Sequence, residues 1–142
     1  MTLYTDGQIF ESKKESYISI VNEQNEVTLF SLIGFKSVRE TEGTAILKAL
    51  EYFQEHNVIN GTIYTDSLDW AGIANGNHRV NAATNNDAFE LASKVLTLKE
   101  ELLTTIHWKR RELNLAGLFL AKIWRMKKEE IDKVLTDLSS KD

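Results

Sequence analysis

Two nearly identical pentapeptides decide the fold: LYTDG at residues 3–7 and IYTDS at residues 63–67. Both are rich in residues that favour β-strands, and both end in an aspartate followed by a small residue. We therefore expect each aspartate to be the last residue of its strand, on the same face as the tyrosine two residues earlier. If the two strands run parallel in one sheet, Asp6 and Asp66 meet at one edge.

The segments around the pentapeptides predict the element order βββαβααβα. Strands are expected at residues 2–6, 15–21, 27–35, 62–66 and 104–110, and the first three follow one another without a helix. Helices are expected after the capping box SVRE at 37–40, at 67–76, at 87–102 and, with a break, from 113 toward 138. A strand–helix–strand connection makes its two strands parallel neighbours. The sequence therefore predicts an α/β fold whose five-stranded mixed sheet has three antiparallel strands, then two parallel strands, flanked by helices.

The composition is that of an ordinary soluble domain. The chain has 142 residues, of which 42% are hydrophobic and 27% charged. It has no cysteine, which excludes disulfides and thiolate metal sites. Its N-terminus shows no signal-peptide pattern, and its longest apolar run is far shorter than the roughly 20 residues that cross a bilayer. We therefore expect a cytoplasmic protein without a membrane partner.

A third carboxylate joins the two aspartates. Glu42 lies three and four residues before Ala45 and Ile46, so it belongs to the apolar side of its helix, near the N-terminus. Neighbouring carboxylates repel each other unless a cation neutralises them. Oxygen ligands without histidine or cysteine favour Mg²⁺ or Mn²⁺. We therefore predict that Asp6, Glu42 and Asp66 share a divalent metal ion.

Each acid also has an ordinary structural explanation. Asp6 is equally compatible with a turn before Gly7, and Asp66 with the N-cap of the next helix. Glu42 is compatible with a first-turn acid that interacts favourably with the helix dipole. The shared site is the preferred interpretation because all three acids occur together in this order of elements.

The order of these motifs resembles that of the ribonuclease H type I family. The resemblance rests on TDG at residues 5–7, TE at 41–42 and TDS at 65–67, and on similar segments at 84–91 and 107–121. It covers about residues 1–123, which implies a ribonuclease H-like domain there and a C-terminal helical extension at 124–142. It also implies metal-dependent hydrolysis of the RNA strand in RNA–DNA hybrids, with Asp6, Glu42 and Asp66 as catalytic residues and metal ligands.

The sequence departs from the family at the fourth acid. The family's last helix carries the pattern N-x-x-A-D-x-L-A, whose aspartate is a metal ligand. Matching Asn114, Leu120 and Ala121 to this pattern places Leu118 at the aspartate. A leucine cannot bind a cation, so we expect weak activity with a loosely held second ion. On this alignment, Leu118→Asp should increase cleavage in Mg²⁺.

Basic residues cluster late in a chain whose net charge is −4. The expected nucleic-acid contacts, to an RNA–DNA hybrid or RNA, are Lys109, Arg110, Arg111 and, from the resemblance, Asn85. Lys13 and Lys14 are further candidates for phosphate contacts. These residues would serve equally in a catalytically inactive module that binds nucleic acid.

The end of the chain supports another alternative, a protein-interaction module on the same fold. Helical spacing gives one apolar face to Ile131, Val134, Leu135 and Leu138. This face either folds back on its own domain or forms a homodimer. A flavodoxin-like sheet is the alternative fold, but such sheets alternate strand and helix from the beginning.

Overall fold

The computed structural model describes residues 1–32, 37–78 and 86–139, with the backbone alone at 86 and 139. Five strands form one sheet in the order β3-β2-β1-β4-β5. They are β1 Thr2–Phe10, β2 Glu15–Asn22, β3 Val27–Leu32, β4 Thr62–Thr65 and β5 Thr105–Trp108. The first three strands pair antiparallel, and β4 pairs parallel with both β1 and β5. The predicted α/β mixed sheet is therefore confirmed.

Five α-helices within the described residues flank this sheet. They are α1 Val38–Glu55, α2 Leu68–Ala74, α3 Asn86–Glu101, α4 Leu115–Trp124 and α5 Lys128–Ser139. The first helix begins at the predicted cap, where Ser37 Oγ accepts a hydrogen bond from the Glu40 N–H at 3.0 Å. No helix within the described residues is both long and apolar enough to cross a bilayer.

Successive side chains of each strand point to opposite faces of the sheet, and each face carries its own hydrophobic core. The larger core joins α1, α2 and α3 to one face, with Leu3, Ile46, Leu50, Ile63, Trp70 and Ile106 among its buried residues. The smaller core joins α4 and α5 to the other face and contains Phe10, Tyr17, Leu29, Leu120, Ile123 and Ile131. Asp6 shares a face with Phe10, so it lies on the side of the smaller core.

The C-terminal helix folds back on its own domain. Ile131 is fully buried, and Val134, Leu135 and Leu138 pack against the same core. An ion pair between Lys128 and Glu15 also joins α5 to β2. The division of the chain at residue 123 stays a prediction. The homodimer stays a prediction as well, and the apolar face of α5 would have to separate from the sheet to form it.

Among the strand ends that differ from the predicted ones, those of β1 and β4 affect the acids. The first strand does not end at Asp6, because residues 7–10 pair with residues 15–18 of β2. Asp66 lies one residue beyond β4, because Ser67 accepts a hydrogen bond from the Trp70 N–H at 3.1 Å and caps α2. The two aspartates still lie level, since β1 and β4 pair in parallel up to Thr5 and Thr65. Residues 33–35 of the predicted third strand lie outside the described residues.

Replacing Ile131 with alanine should lower the free energy of unfolding by about 2–5 kcal/mol, because its fully buried side chain fills the smaller core. Urea denaturation followed by circular dichroism measures the loss. Lys133→Ala, at an exposed position of the same helix, is the control and should change stability little. Unchanged stability together with loss of a dimer in size-exclusion chromatography would show that α5 pairs with a second chain instead.

Candidate metal centre

Three carboxylates meet beside the ends of the parallel strands, as the sequence predicts. One oxygen from each of Asp6, Glu42 and Asp66 lies within 4.8 Å of the others. Asp6 belongs to β1, Asp66 follows β4, and Glu42 lies near the start of α1. Across residues 1–32, 37–78 and 86–139, no other group of at least three His, Cys, Asp or Glu side chains comes close enough to share an ion.

A glycine allows α1 to approach β1 closely enough to form this cluster. A Cβ built on Gly7 would lie 2.6 Å from the backbone oxygen of Thr41. Any side chain at residue 7 would therefore push the first turn of α1 away from the strand. Gly7 follows Asp6 and Thr41 precedes Glu42, so this one backbone contact sets the two carboxylates side by side.

Asp6 is the most perturbed acid of the cluster. Its side chain is hydrogen-bonded by Gln8, whose Nε2 donates to Asp6 Oδ2 at 3.0 Å, and the residue is 5% exposed. Burial, followed by the charge of Asp66, raises the pKa of Asp6 to about 8 despite this hydrogen bond. At neutral pH and without a cation, Asp6 therefore holds a proton.

The other two acids are shifted in the same direction. Burial raises the pKa of Glu42 to about 7, although the nearby Ser67 hydroxyl opposes this rise. Burial also raises the pKa of Asp66, and the positive charge of Arg111 opposes this rise. Burial together with mutual repulsion therefore disfavours the fully ionised cluster.

This donor set fits a hard divalent cation. All three candidate ligands are oxygen atoms, which Mg²⁺ and Mn²⁺ prefer over nitrogen or sulfur. A cation at the centre would replace the proton on Asp6 and offset the repulsion that burial strengthens. Metal binding at this cluster should therefore compete directly with protonation.

Helix α4 presents a glycine to the acids. Its N-cap Asn114 is buried, and Asn114 Nδ2 donates to the Thr5 carbonyl at 3.0 Å, which fixes the start of α4 on β1. A Cβ built on Gly117 would lie 3.3 Å from Asp6 Oδ2 and 3.5 Å from Asp66 Oδ2. Gly117 thus lies against both aspartates without contributing a carboxylate.

Leu118 does not occupy the place beside the acids that the sequence alignment assigns to it. Its side chain is 44% exposed and lines a separate depression with Asn25 and Val27. Successive residues of a helix point about 100° apart, so a shift of one residue changes the face that is presented. The residue that faces the acids from α4 is therefore Gly117.

The residues predicted to contact nucleic acid lie in different parts of the structure. Both arginines are exposed, but Arg111 lines the same cleft as the three acids and Arg110 does not. Lys109 lies over aromatic rings of the sheet, with its Nζ 4.3 Å from the ring centroid of Tyr64. Asn85 lies outside the described residues.

The remaining two lysines lie near the turn after β1. Lys13 Nζ donates a hydrogen bond to the Trp124 carbonyl at 3.2 Å, and the Lys14 side chain is exposed. Neither residue lines the cleft that contains the three acids. Their role in binding phosphate stays a prediction.

Sequence reasoning missed Gln8 and Gly117 as parts of the centre. Gln8 lies two residues after Asp6 and therefore shares its face, a signal that is lost if the strand is ended at Asp6. Gly117 is conspicuous as the glycine in an otherwise apolar helical run, but its position relative to the acids depends on how α4 is rotated.

The fold resembles those of solved ribonucleases H. The N-terminal ribonuclease H domain of a Mycobacterium tuberculosis protein superposes with a TM-score of 0.65 at 14% identity, covering 84% of this chain and 93% of that chain. Ribonuclease H1 from the archaeon Halobacterium salinarum gives 0.64 at 17% identity, with 84% and 92% covered.

A third similar structure, LC11 ribonuclease H1 in complex with an RNA/DNA hybrid, has a TM-score of 0.61 at 22% identity and covers 80% of this chain and 87% of that chain. No protein-family model and no curated protein sequence matches the chain. Likeness at these identities shows the fold, and the predicted ribonuclease H-like fold is confirmed.

The raised pKa values predict how stability depends on pH. In the folded protein without metal, Asp6 and Glu42 keep protons that the unfolded chain has already released, because their pKa values are raised to about 8 and about 7. The free energy of unfolding should therefore fall as pH rises from about 5 to about 9. Added Mn²⁺ should offset the fall, since metal binding needs the ionised acids.

Thermal melts over this pH range, in EDTA and in Mn²⁺, measure both effects. Asp6→Asn removes the main titrating group and should flatten the pH dependence in EDTA. If the variant and the original chain lose stability equally with rising pH, the shifted acids are not those of this centre.

Proposed function

We propose that the protein is a divalent-metal-dependent hydrolase of phosphodiester bonds, acting on the RNA strand of RNA–DNA hybrids. The observation that carries the proposal is the meeting of three carboxylates within 4.8 Å. The substrate is proposed from the ribonuclease H-like fold, since one protein with that fold was solved with an RNA/DNA hybrid. The cytoplasmic location stays a prediction.

In this function Asp6, Glu42 and Asp66 hold the ion. A bound divalent cation supplies activation of water and neutralisation of charge on the phosphate. Gln8 orients the Asp6 carboxylate through its hydrogen bond, and the Ser67 hydroxyl favours the ionised form of Glu42. The hydrogen bond from Gln8 restricts the rotation of the Asp6 carboxylate, which lowers the reorganisation needed when substrate arrives.

Arg111 is suited to hold the substrate phosphate beside the acids. It lines the cleft that contains all three, and its charge acts on both Glu42 and Asp66. A guanidinium binds phosphate oxygens through two parallel N–H bonds. Substrate would therefore be held between a cation of the protein and the ion on the carboxylates.

We infer that the activity is weak, because Gly117 offers no fourth carboxylate. A two-ion mechanism stabilises both the attacking and the leaving oxygen. A second ion that is held mainly by substrate and water would be bound poorly at ordinary concentrations. The loss of one electrostatic contribution of this kind lowers rates by roughly two to four decades.

Cleavage of a labelled RNA–DNA hybrid tests the function. We expect slow, metal-dependent cleavage of the RNA strand in Mn²⁺ or Mg²⁺ and none in EDTA. Asp6→Asn should lower the rate at least about a hundredfold, because it removes a central ligand charge. Lys94→Gln, an exposed position on α3, is the control. Cleavage that persists in Asp6→Asn would place the reaction elsewhere or in a contaminant.

Restoring a carboxylate on α4 tests the account of the weak activity. Gly117→Asp should increase cleavage in Mg²⁺ about tenfold or more, because a side chain there begins 3.3 Å from Asp6 Oδ2. Gly117→Asn fills the same space without charge and should not increase cleavage. Leu118→Asp adds the same charge one residue further along and, at this exposed position, should not increase it either.

A gain from Leu118→Asp without a gain from Gly117→Asp would show that α4 is rotated differently in the active protein. Melting temperatures of all three variants separate a catalytic effect from loss of folding.

A second candidate function is binding of nucleic acid without cleavage. Two observations favour it. Gly117 leaves the cleft without the carboxylate that the family pattern has on this helix, and Arg111 places a positively charged side chain in the same cleft as the acids. With this function the RNA strand stays intact in the cleavage assay. The hybrid binds in EDTA, and its affinity falls as the salt concentration rises.

A further inference from the structure

Three aromatic side chains form a row across the parallel strands. Tyr4, Tyr64 and His107 lie level on β1, β4 and β5. The ring centroids of Tyr4 and Tyr64 are 5.4 Å apart with an interplanar angle of 29°, and those of Tyr64 and His107 are 6.2 Å apart with an angle of 39°. We call these three residues the aromatic row.

A lysine lies over two rings of the row. Lys109 Nζ is 4.3 Å from the ring centroid of Tyr64 and 5.3 Å from that of Tyr4. Its backbone is held in place, since the Lys109 N–H donates to the Thr65 carbonyl at 2.8 Å. The row therefore carries a positive charge over two of its three rings.

The aromatic row keeps contact with solvent. Tyr4 and Tyr64 are half-buried and His107 is exposed. On this face of the sheet α4 packs over β1 and β2, and α5 packs over β3. The part of the face formed by β4 and β5 thus leaves the aromatic row partly open to solvent.

The aromatic row continues directly into the metal centre. Asp6 follows Tyr4 by two residues on β1 and therefore shares its face, and Asp66 follows Tyr64 by two residues just beyond the end of β4. Two residues of strand span roughly 7 Å. A strand of nucleic acid with one phosphate at the carboxylates would have its next bases within reach of the rings.

We propose that the aromatic row, with Lys109, binds unpaired nucleotides of a single-stranded nucleic acid next to the metal centre. Tyrosine and histidine rings that solvent can reach bind splayed bases by stacking, and a lysine beside them binds the phosphates. Bases inside a duplex are already stacked on each other, so the row selects single strands. The proposal rests on the proposed function in that the chain acts on nucleic acid, but it does not require cleavage.

Fluorescence anisotropy with labelled single-stranded oligo(dT), oligo(rU) and an RNA–DNA hybrid tests the proposal. Measurements in EDTA separate binding from cleavage. We expect Tyr64→Leu to weaken single-strand binding about tenfold, because it removes one stacking ring and keeps an apolar side chain. Lys109→Gln should weaken it too and should reduce the slope of log affinity against log salt by about 0.7. Hybrid binding should change less in both variants.

The chain offers matched controls for both substitutions. Tyr52 is also a half-buried tyrosine stacked on a histidine, with its ring centroid 4.0 Å from that of His56. Lys48 is also a lysine over a ring, with Nζ 5.7 Å from the centroid of Phe30. Tyr52→Leu and Lys48→Gln should leave oligonucleotide binding unchanged. His107→Leu, at an exposed position, provides a second test of the row if Tyr64→Leu does not fold.

The outcomes separate this proposal from the proposed function. Single-strand binding that depends on Tyr64 or His107 supports the row even if the hybrid is never cut. Cleavage of the hybrid without any single-strand binding supports the hydrolase and overturns the row. Equal weakening by Tyr64→Leu and Tyr52→Leu overturns it as well, because the effect would then be a general loss of structure.

Discussion

The crowding of three carboxylates in a buried cleft is the constraint on which the site depends. Like charges within 4.8 Å repel, and burial strengthens the repulsion. The fold enforces the meeting through two glycines: Gly7 lets the start of α1 lie against β1, and Gly117 lets α4 lie against the aspartates. Backbone packing therefore holds together groups that would separate by themselves. A proton on Asp6, or a cation, then relieves the repulsion.

The formal charges of the three clustered acids and Arg111 match one divalent ion. Three ionised acids, the guanidinium of Arg111 and one divalent ion together carry no formal net charge, while Glu11, which also lines the cleft, lies outside the group of three acids. A second divalent ion would leave the cleft positive until an anionic substrate entered. A fourth carboxylate on α4 would lower this imbalance, and glycine does not supply one. In the proposed function, substrate phosphate would supply part of the site for a second ion, and ion binding would then depend on substrate binding.

The order of elements, the sheet and the three acids were predictable because they follow from local periodicity and from the rule that crossovers join parallel strands. The extent of β1 was not, since residues 7–10 are held in the strand by pairing with residues 15–18. The sequence also did not predict whether Gly117 or Leu118 faces the acids from α4. Counting residues from Asn114 gives a position along α4, but the direction in which each residue points is set by how Asn114 attaches the helix to Thr5, 109 residues away in sequence.

Repetition of one pentapeptide in two neighbouring strands has a double consequence. Because the two strands pair in parallel at the same level, each residue of one pentapeptide lies beside its counterpart in the other. The two tyrosines therefore stack with their ring centroids 5.4 Å apart, while the two aspartates repel each other. Thr5 and Thr65 alternate with them toward the other face, and Thr5 Oγ1 donates to the Tyr64 carbonyl at 3.1 Å, which ties β1 to β4 next to the repelling pair. The stacked tyrosines and the hydrogen bond of Thr5 thus lie next to the pair of aspartates that repel each other. A strand pair of this kind can keep two carboxylates level until a cation arrives, because the neighbouring residues resist the displacement that repulsion would cause.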